Sequence, residues 1–175
     1  TGNNVTTSGR GVLDLGGFNT SIGNLNSAVL SLPATGSVFA SNGGFITNSG
    51  TVTKTLTVTP TALSSYSGVI QNNINLVKAG GQKLLLRNAN TYTGETTVSG
   101  GVLEVSHVLG TAGSGVIDGI SGTSKVSVAS GATFNVVTGS IGGTLTLAGT
   151  SGTVLELAGG SRLGVEVGPN TGTNV

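Results

Sequence analysis

Few residues of this chain could carry acid–base, nucleophile or metal chemistry, and their spacing does not gather them. His107 is the single histidine; Val-Leu-Gly follows it, and no second residue stands where a zinc ligand or a triad partner would be needed. It reads as a surface or corner histidine. Four of the six acids sit in one recurring pattern, Val12-Leu-Asp-Leu15, Val102-Leu-Glu-Val105, Val154-Leu-Glu-Leu157 and Gly164-Val-Glu-Val167. In an extended segment this turns Asp14, Glu104, Glu156 and Glu166 outward as solubilising charges and their apolar neighbours into a core. A catalytic carboxylate pair would require distant segments to align. Cysteine is absent, which removes disulfides and thiolate sites, and no Gly-Gly-x-Gly-x-Asp calcium nonapeptide occurs. No catalytic, cofactor-binding or metal site is expected.

Thr51, Thr53, Thr55, Thr57 and Thr59 alternate along one stretch. A flat threonine row can order water if neighbouring segments repeat it, but only Thr144-Leu-Thr146 echoes it. Lys54 would point inward in that register, so a bulge or a strand start is expected there. The row reads as an ordinary solvent face of good strand formers.

The elements that could position such residues follow from an unusual composition. Of 175 residues only 7% are charged and 3% aromatic, while glycine (32), threonine (26), serine (20) and asparagine (15) make just over half the chain. Disorder goes with low hydrophobicity and high net charge. Here the mean hydropathy is +0.30 and the net charge +1, with Val, Leu and Ile spread from end to end. One domain with a real core is expected. The seven basic residues stand singly, which argues against a nucleic-acid surface. No apolar run approaches the ~20 residues of a membrane helix. Nor does a signal segment open the chain, so Thr1 reads as the start of a processed or excised piece.

Short runs, mostly alternating apolar with polar, recur between Gly, Asn and Ser: Gly11–Leu15, Ala28–Leu32, Ser37–Ala40, Thr55–Thr59, Gly68–Gln71, Ile74–Val77, Lys83–Leu86, Glu95–Ser99, Val102–Val105, Lys125–Val128, Thr133–Val137, Thr144–Leu147, Val154–Leu157 and Leu163–Val167. No window has helical spacing with a charged outer face. The chain is all-β. A sandwich would need hairpins, yet only Asn42-Gly43 and Asp118-Gly119 offer two-residue turns, and neither lies between matched strands. Recurrence of one small unit points instead to a right-handed parallel β-helix, a β-solenoid with short strands and Gly/Asn-rich corners.

The most informative stretch is LVKAGGQKLLLRNANTYTGETTVSGGVLEV, from Leu76 to Val105. It reads strand, corner, strand, corner, strand. It resembles the passenger-associated β-strand repeat of bacterial autotransporters, through Lys78, Gly80, Leu84, Leu86, Ala89, Asn90, Thr91, Tyr92, Thr93, Gly94, Thr96, Thr97, Val98, Gly101, Leu103 and Val105. Three positions depart: Gln82 and Asn88 replace glycines, and Leu85 stands where a small polar outward residue is usual. Leu13-Asp-Leu-Gly-Gly-Phe-Asn-Thr20, Ile22-Gly-Asn-Leu25 and Tyr66-Ser-Gly-Val-Ile70 resemble the segments around such repeats. Leu84, Leu86, Val98, Leu103 and Val105 are expected inside, Lys83, Glu95 and Glu104 outside, and Leu85 outward. In the corner, Asn90 is expected to bond backbone amides and Tyr92 to pack its ring over the coil.

The resemblance implies a β-helical stalk on a bacterial surface or secreted protein, often adhesive toward a host or surface glycan or protein, and carried out through an outer-membrane barrel that is not in this stretch. The physical reading adds a self-assembling filament that stacks head to tail through open solenoid ends. A polysaccharide lyase or hydrolase is the third reading; no acid cluster supports it. Thr1-Gly-Asn-Asn-Val5 and Thr171-Gly-Thr-Asn-Val175 agree at every position but the third, as one unit of a longer array would.

Overall fold

The computed structural model describes residues 5–7, 9–27, 43–88, 90–106, 116–117, 125–137, 144–145, 147 and 152–166. Among them the regular elements are all strands, and these succeed one another in threes. The first face stacks β1 (Val5–Thr7), β4 (Leu25–Ser27), β7 (Ser64–Tyr66), β10 (Lys83–Leu86), β13 (Val102–Ser106), β16 (Thr133–Val137) and β19 (Arg162–Glu166). The second stacks β2 (Gly9–Asp14), β5 (Gly43–Thr47), β8 (Val69–Asn72) and β11 (Thr91–Tyr92); the pair β14 (Val116–Ile117) and β17 (Thr144–Leu145) falls where this face is next due. The third stacks β3 (Thr20–Ile22), β6 (Lys54–Val58), β9 (Ile74–Lys78), β12 (Thr96–Val98), β15 (Val126–Val128) and β18 (Leu155–Leu157).

Every pairing is parallel and joins a strand to the one three places on. Between β4 and β7 side chains make the join: Asn26 Oδ1 accepts from Ser65 N and Ser27 Oγ from Ser67 N. Three strands make one coil, and coils stack along the chain as a β-helix. The tightest coils repeat every 19 or 20 residues, as where Leu84 pairs with Leu103 and Leu76 with Thr96.

Alternation decides what faces in. Leu84, Leu103 and Phe134 form one buried column on the first face, and Leu86, Val105 and Val136 the next. On the third face Leu56, Leu76, Thr96 and Val126 stack likewise. Each fully buried aliphatic residue contributes about 1.5–3 kcal/mol. Because coils repeat, each side chain packs on its counterpart one coil away and a thin core suffices.

Most of the expected strands are present. Ala28–Leu32 and Ser37–Ala40 lie outside the described residues, as do His107 and Asp118-Gly119. Gly43 opens β5 rather than closing a hairpin turn, and Lys54 is the first residue of β6. The threonine row has partners that its own sequence does not reveal: along the outer third face Thr57 stacks between Ser21 and Val77, and Thr97 between Val77 and Ser127. Val77 interrupts the hydroxyls, so the column is a smooth solvent face of small side chains.

Candidate functional site

Chemistry in this fold concentrates at the corners, where a strand's last amides and carbonyls lose their ladder and need other partners. Asparagine supplies most of them. Asn24 Oδ1 accepts from Thr61 N at 2.9 Å and Ala62 N at 3.2 Å. Asn48 makes four bonds: Oδ1 accepts from Gly17 N and Gly50 N, and Nδ2 donates to Val52 O and Asn73 O. One buried side chain thus ties three successive coils. Asn48 follows β5 with no distinctive neighbours, so nothing in the sequence set it apart from the other asparagines.

The coil from Leu76 to Val105 uses a fuller set of devices. Asn90 is completely buried; its Oδ1 accepts from Ile70 N at 2.8 Å and its Nδ2 donates to Asn88 O at 2.8 Å. Tyr92 is completely buried too, and its hydroxyl lies 2.6 Å from Thr96 Oγ1. Burial pushes the phenol pKa up, against a smaller opposing effect of the Thr96 bond. Thr91 and Tyr92 form the two-residue β11, paired with Gln71 and Asn72, in what the sequence suggested was only a corner. Thr93 N then donates to Asn72 O. Asn72 has a φ of +68°, a left-handed conformation that asparagine tolerates.

Gly94 and Gly101 close the two corners for different reasons. A Cβ on Gly94 would collide with Ile74 O and Asn75 Oδ1, the groups that accept from Gly94 N and Glu95 N. Gly101 has a φ of +62°, and a Cβ there would lie 2.6 Å from the carbonyl oxygens of Gly80 and Gln82. Gly94→Ala is expected to cost about 3 kcal/mol, because the clash is with backbone and forces the coils apart. Urea unfolding followed by circular dichroism measures it; an unchanged midpoint would mean the corner is looser than described.

Lys78 is the least expected of these residues. It ends β9 in an inward position, stacked between Val58 and Val98, and is completely buried. Its Nζ donates to Ala79 O at 2.8 Å, Gly80 O at 2.9 Å and Gly100 O at 2.9 Å. Two of these carbonyls belong to its own corner and one to the corner a coil later, so the ammonium acts as a rivet. Burial lowers its pKa from 10.5 to about 8. Gly80, at φ +72°, presents one of the three carbonyls.

The core expectations of this stretch hold: Leu84, Leu86, Val98, Leu103 and Val105 are all completely buried. One outer expectation needs correction: the Glu104 side chain is only 13% exposed. Leu85 points outward as expected, yet it is covered and only 8% exposed. Leu85 lies between Ser65 and Glu104 on the neighbouring coils. Arg87 Nε reaches Ser65 Oγ at 2.9 Å, and Lys83 Nζ reaches Glu104 Oε2 at 2.7 Å, so a long side chain passes on either flank of the leucine. Asn135 Nδ2 adds a second bond to the same carboxylate oxygen. Burial acts to raise the Glu104 pKa, but the bonds from Lys83 and Asn135 and the charges of Lys83 and Arg87 outweigh it and hold it below its ordinary value. Leu85→Ala is therefore expected to cost about 1–2 kcal/mol, where a freely exposed leucine would cost under ~0.5; chemical denaturation distinguishes the two.

Among the described residues no group of three or more His, Cys, Asp and Glu could hold a metal ion, and no helix is long and apolar enough to cross a membrane. No curated protein and no solved structure matches the chain. Residues 76–105, the coil in which Lys78, Asn90, Tyr92, Gly94 and Gly101 fasten one turn to the next, match the family model of the Passenger-associated-transport-repeat, the family that the sequence of this stretch resembles.

Proposed function

We propose that the chain is a length of β-helical stalk from a surface-exposed or secreted bacterial passenger of autotransporter type, and that its role is structural and adhesive rather than catalytic. The observation that carries this reading is how the matched repeat uses its polar residues. Lys78, Asn90, Tyr92 and Thr96 all point inward; Lys78 and Asn90 bond the neighbouring coil, while Tyr92 and Thr96 bond each other across the bend of their own coil. The outer column of the third face is left with the short side chains of Ser21, Thr57, Val77, Thr97 and Ser127. A rod built this way needs few charges, extends by adding coils and offers proteases little loose backbone along its strands.

Display on cells tests it. The chain is fused ahead of an outer-membrane autotransporter barrel with Thr59→Cys, an exposed position, as reporter. A maleimide that does not cross membranes is expected to label intact cells, and the purified chain to appear as short rods in negative stain. An adhesive role further expects displaying cells to be retained on glycan- or protein-coated surfaces more than cells carrying the barrel alone. A folded chain that labels only after the outer membrane is opened would sink the surface reading.

A further inference from the structure

Of the 15 asparagines in this chain only two begin an Asn-x-Ser/Thr triplet with a residue other than proline between: Asn4-Val5-Thr6 and Asn19-Thr20-Ser21. Asn4 lies outside the described residues. Threonine and serine are common enough here for such a triplet to arise by chance, so its weight depends on where the fold puts it. Asn19 stands in the corner immediately before β3 and is exposed. Ser21 is the outward residue of β3 and is exposed too. Residues two apart on an extended backbone point the same way, so the amide and the hydroxyl face solvent together.

The corner uses Asn19 in a way that leaves its nitrogen open. Asn48, Asn73 and Asn90 each donate from Nδ2 to a backbone carbonyl, which ties that nitrogen up. Asn19 works through its oxygen: Oδ1 accepts from Thr55 N at 2.9 Å, and Nδ2 has no partner among the described residues. A substituent on Nδ2 leaves the bond from Thr55 in place. There is also room for one. Gly16 and Gly17 turn this corner, and a Cβ on either would meet nothing within 4 Å. Phe18, immediately before the asparagine, is 74% exposed. A bare ring beside a polar triplet offers the C–H face of a sugar an apolar surface to cover.

We propose that Asn19 is an N-glycosylation site, its Nδ2 taking a single hexose from a nucleotide-activated sugar by the action of an N-glycosyltransferase. A bond forms from Nδ2 to the anomeric carbon as that carbon's bond to the phosphate oxygen breaks; Nδ2 gives up one proton and the nucleoside diphosphate leaves. Asn-x-Ser/Thr is the acceptor triplet for this chemistry, and exported proteins carry it on surface loops. The biological use of such a sugar rests on the reading of the chain as an exported passenger: it sets a bulky, solubilising group on a corner otherwise made of glycine and a bare phenylalanine.

The test uses the purified, folded chain, UDP-glucose and a soluble bacterial N-glycosyltransferase that acts on Asn-x-Ser/Thr, followed by intact and tryptic-peptide mass measurement. Cleavage after Arg10 and Lys54 puts Asn4 and Asn19 in separate peptides. The peptide of residues 11–54 is expected to gain one hexose, at a rate comparable to that of a free peptide of residues 14–24. Asn19→Gln is expected to abolish this gain and Asn4→Gln to leave it unchanged. Ser21→Ala, a change at an exposed position, should abolish it while the chain stays folded by circular dichroism, and Ser21→Thr should keep it. Export plays no part in the reaction, so its outcome is read independently of the display experiment, and failure of either leaves the other standing. A folded chain that gains no hexose on the peptide of residues 11–54, whether or not the free peptide is modified, hexose on Asn4 alone, or Ser21→Ala modified like wild type would each overturn the proposal.

Discussion

Truncating Tyr92 to alanine is expected to lower the stability of the chain by about 4 kcal/mol, a large share of the ~5–15 kcal/mol typical of a domain. The ring is fully buried, and its hydroxyl bonds Thr96 at the start of β12. It therefore spans from the second face to the third and fills the bend that a 20-residue coil makes there. Removing it leaves a cavity that backbone held by Asn90 on one side and Gly94 on the other cannot collapse into. Tyr92→Phe keeps the ring and is expected to cost only about 1–2 kcal/mol, the value of a buried hydrogen bond. Urea unfolding of the two variants separates packing from bonding. A loss under ~1 kcal/mol for the alanine variant would mean that the ring is not part of the core.

How far the sequence revealed this arrangement depended on what kind of signal each part leaves. Alternation leaves a strong one, so Leu84, Leu86, Leu103 and Val105 could be assigned to the core from their spacing alone. Short strands rich in small polar residues leave almost none: Thr20–Ile22, Ser64–Tyr66 and Thr91–Tyr92 were hidden because serine and threonine serve strands and corners equally, whereas the equally short Val126–Val128 and Leu155–Leu157 showed through their apolar residues. Lys78 was visible as part of a family pattern, but a lysine at the end of a strand normally reads as exposed. Only the stacking of one corner on the next shows the three carbonyls that make burial tolerable. The cover over Leu85 was hidden for a related reason: alternation predicts which way a side chain points, and the arms of Lys83 and Arg87 beside it determine how much water reaches it.

The stability of the chain is expected to pass through a maximum near pH 10, with Lys78 responsible for the rise and Tyr92 contributing to the fall. The Lys78 ammonium loses its proton at about pH 8 in the folded chain and at the ordinary 10.5 when unfolded. Across that window the unfolded chain holds more protons, so stability increases as the pH is raised and is flat below it. The Tyr92 phenol is shifted the other way by burial. Above pH 10 the unfolded chain releases this proton while the folded chain keeps it, and stability declines. Urea midpoints measured from pH 7 to 11 trace the profile. Lys78→Met is expected to abolish the rise and keep the decline, and Tyr92→Phe the reverse. At pH 7 the methionine variant should also be less stable by about 1–3 kcal/mol, since Ala79, Gly80 and Gly100 each lose the donor that Nζ provides. Part of that loss is offset because a charge no longer has to be desolvated. Lys78→Ala adds the empty volume of the methylene chain between Val58 and Val98 and is expected to cost more still. A profile that is level from pH 7 to 10 in the wild type, with the methionine variant as stable as the parent, would mean that Lys78 reaches solvent and holds no coils together.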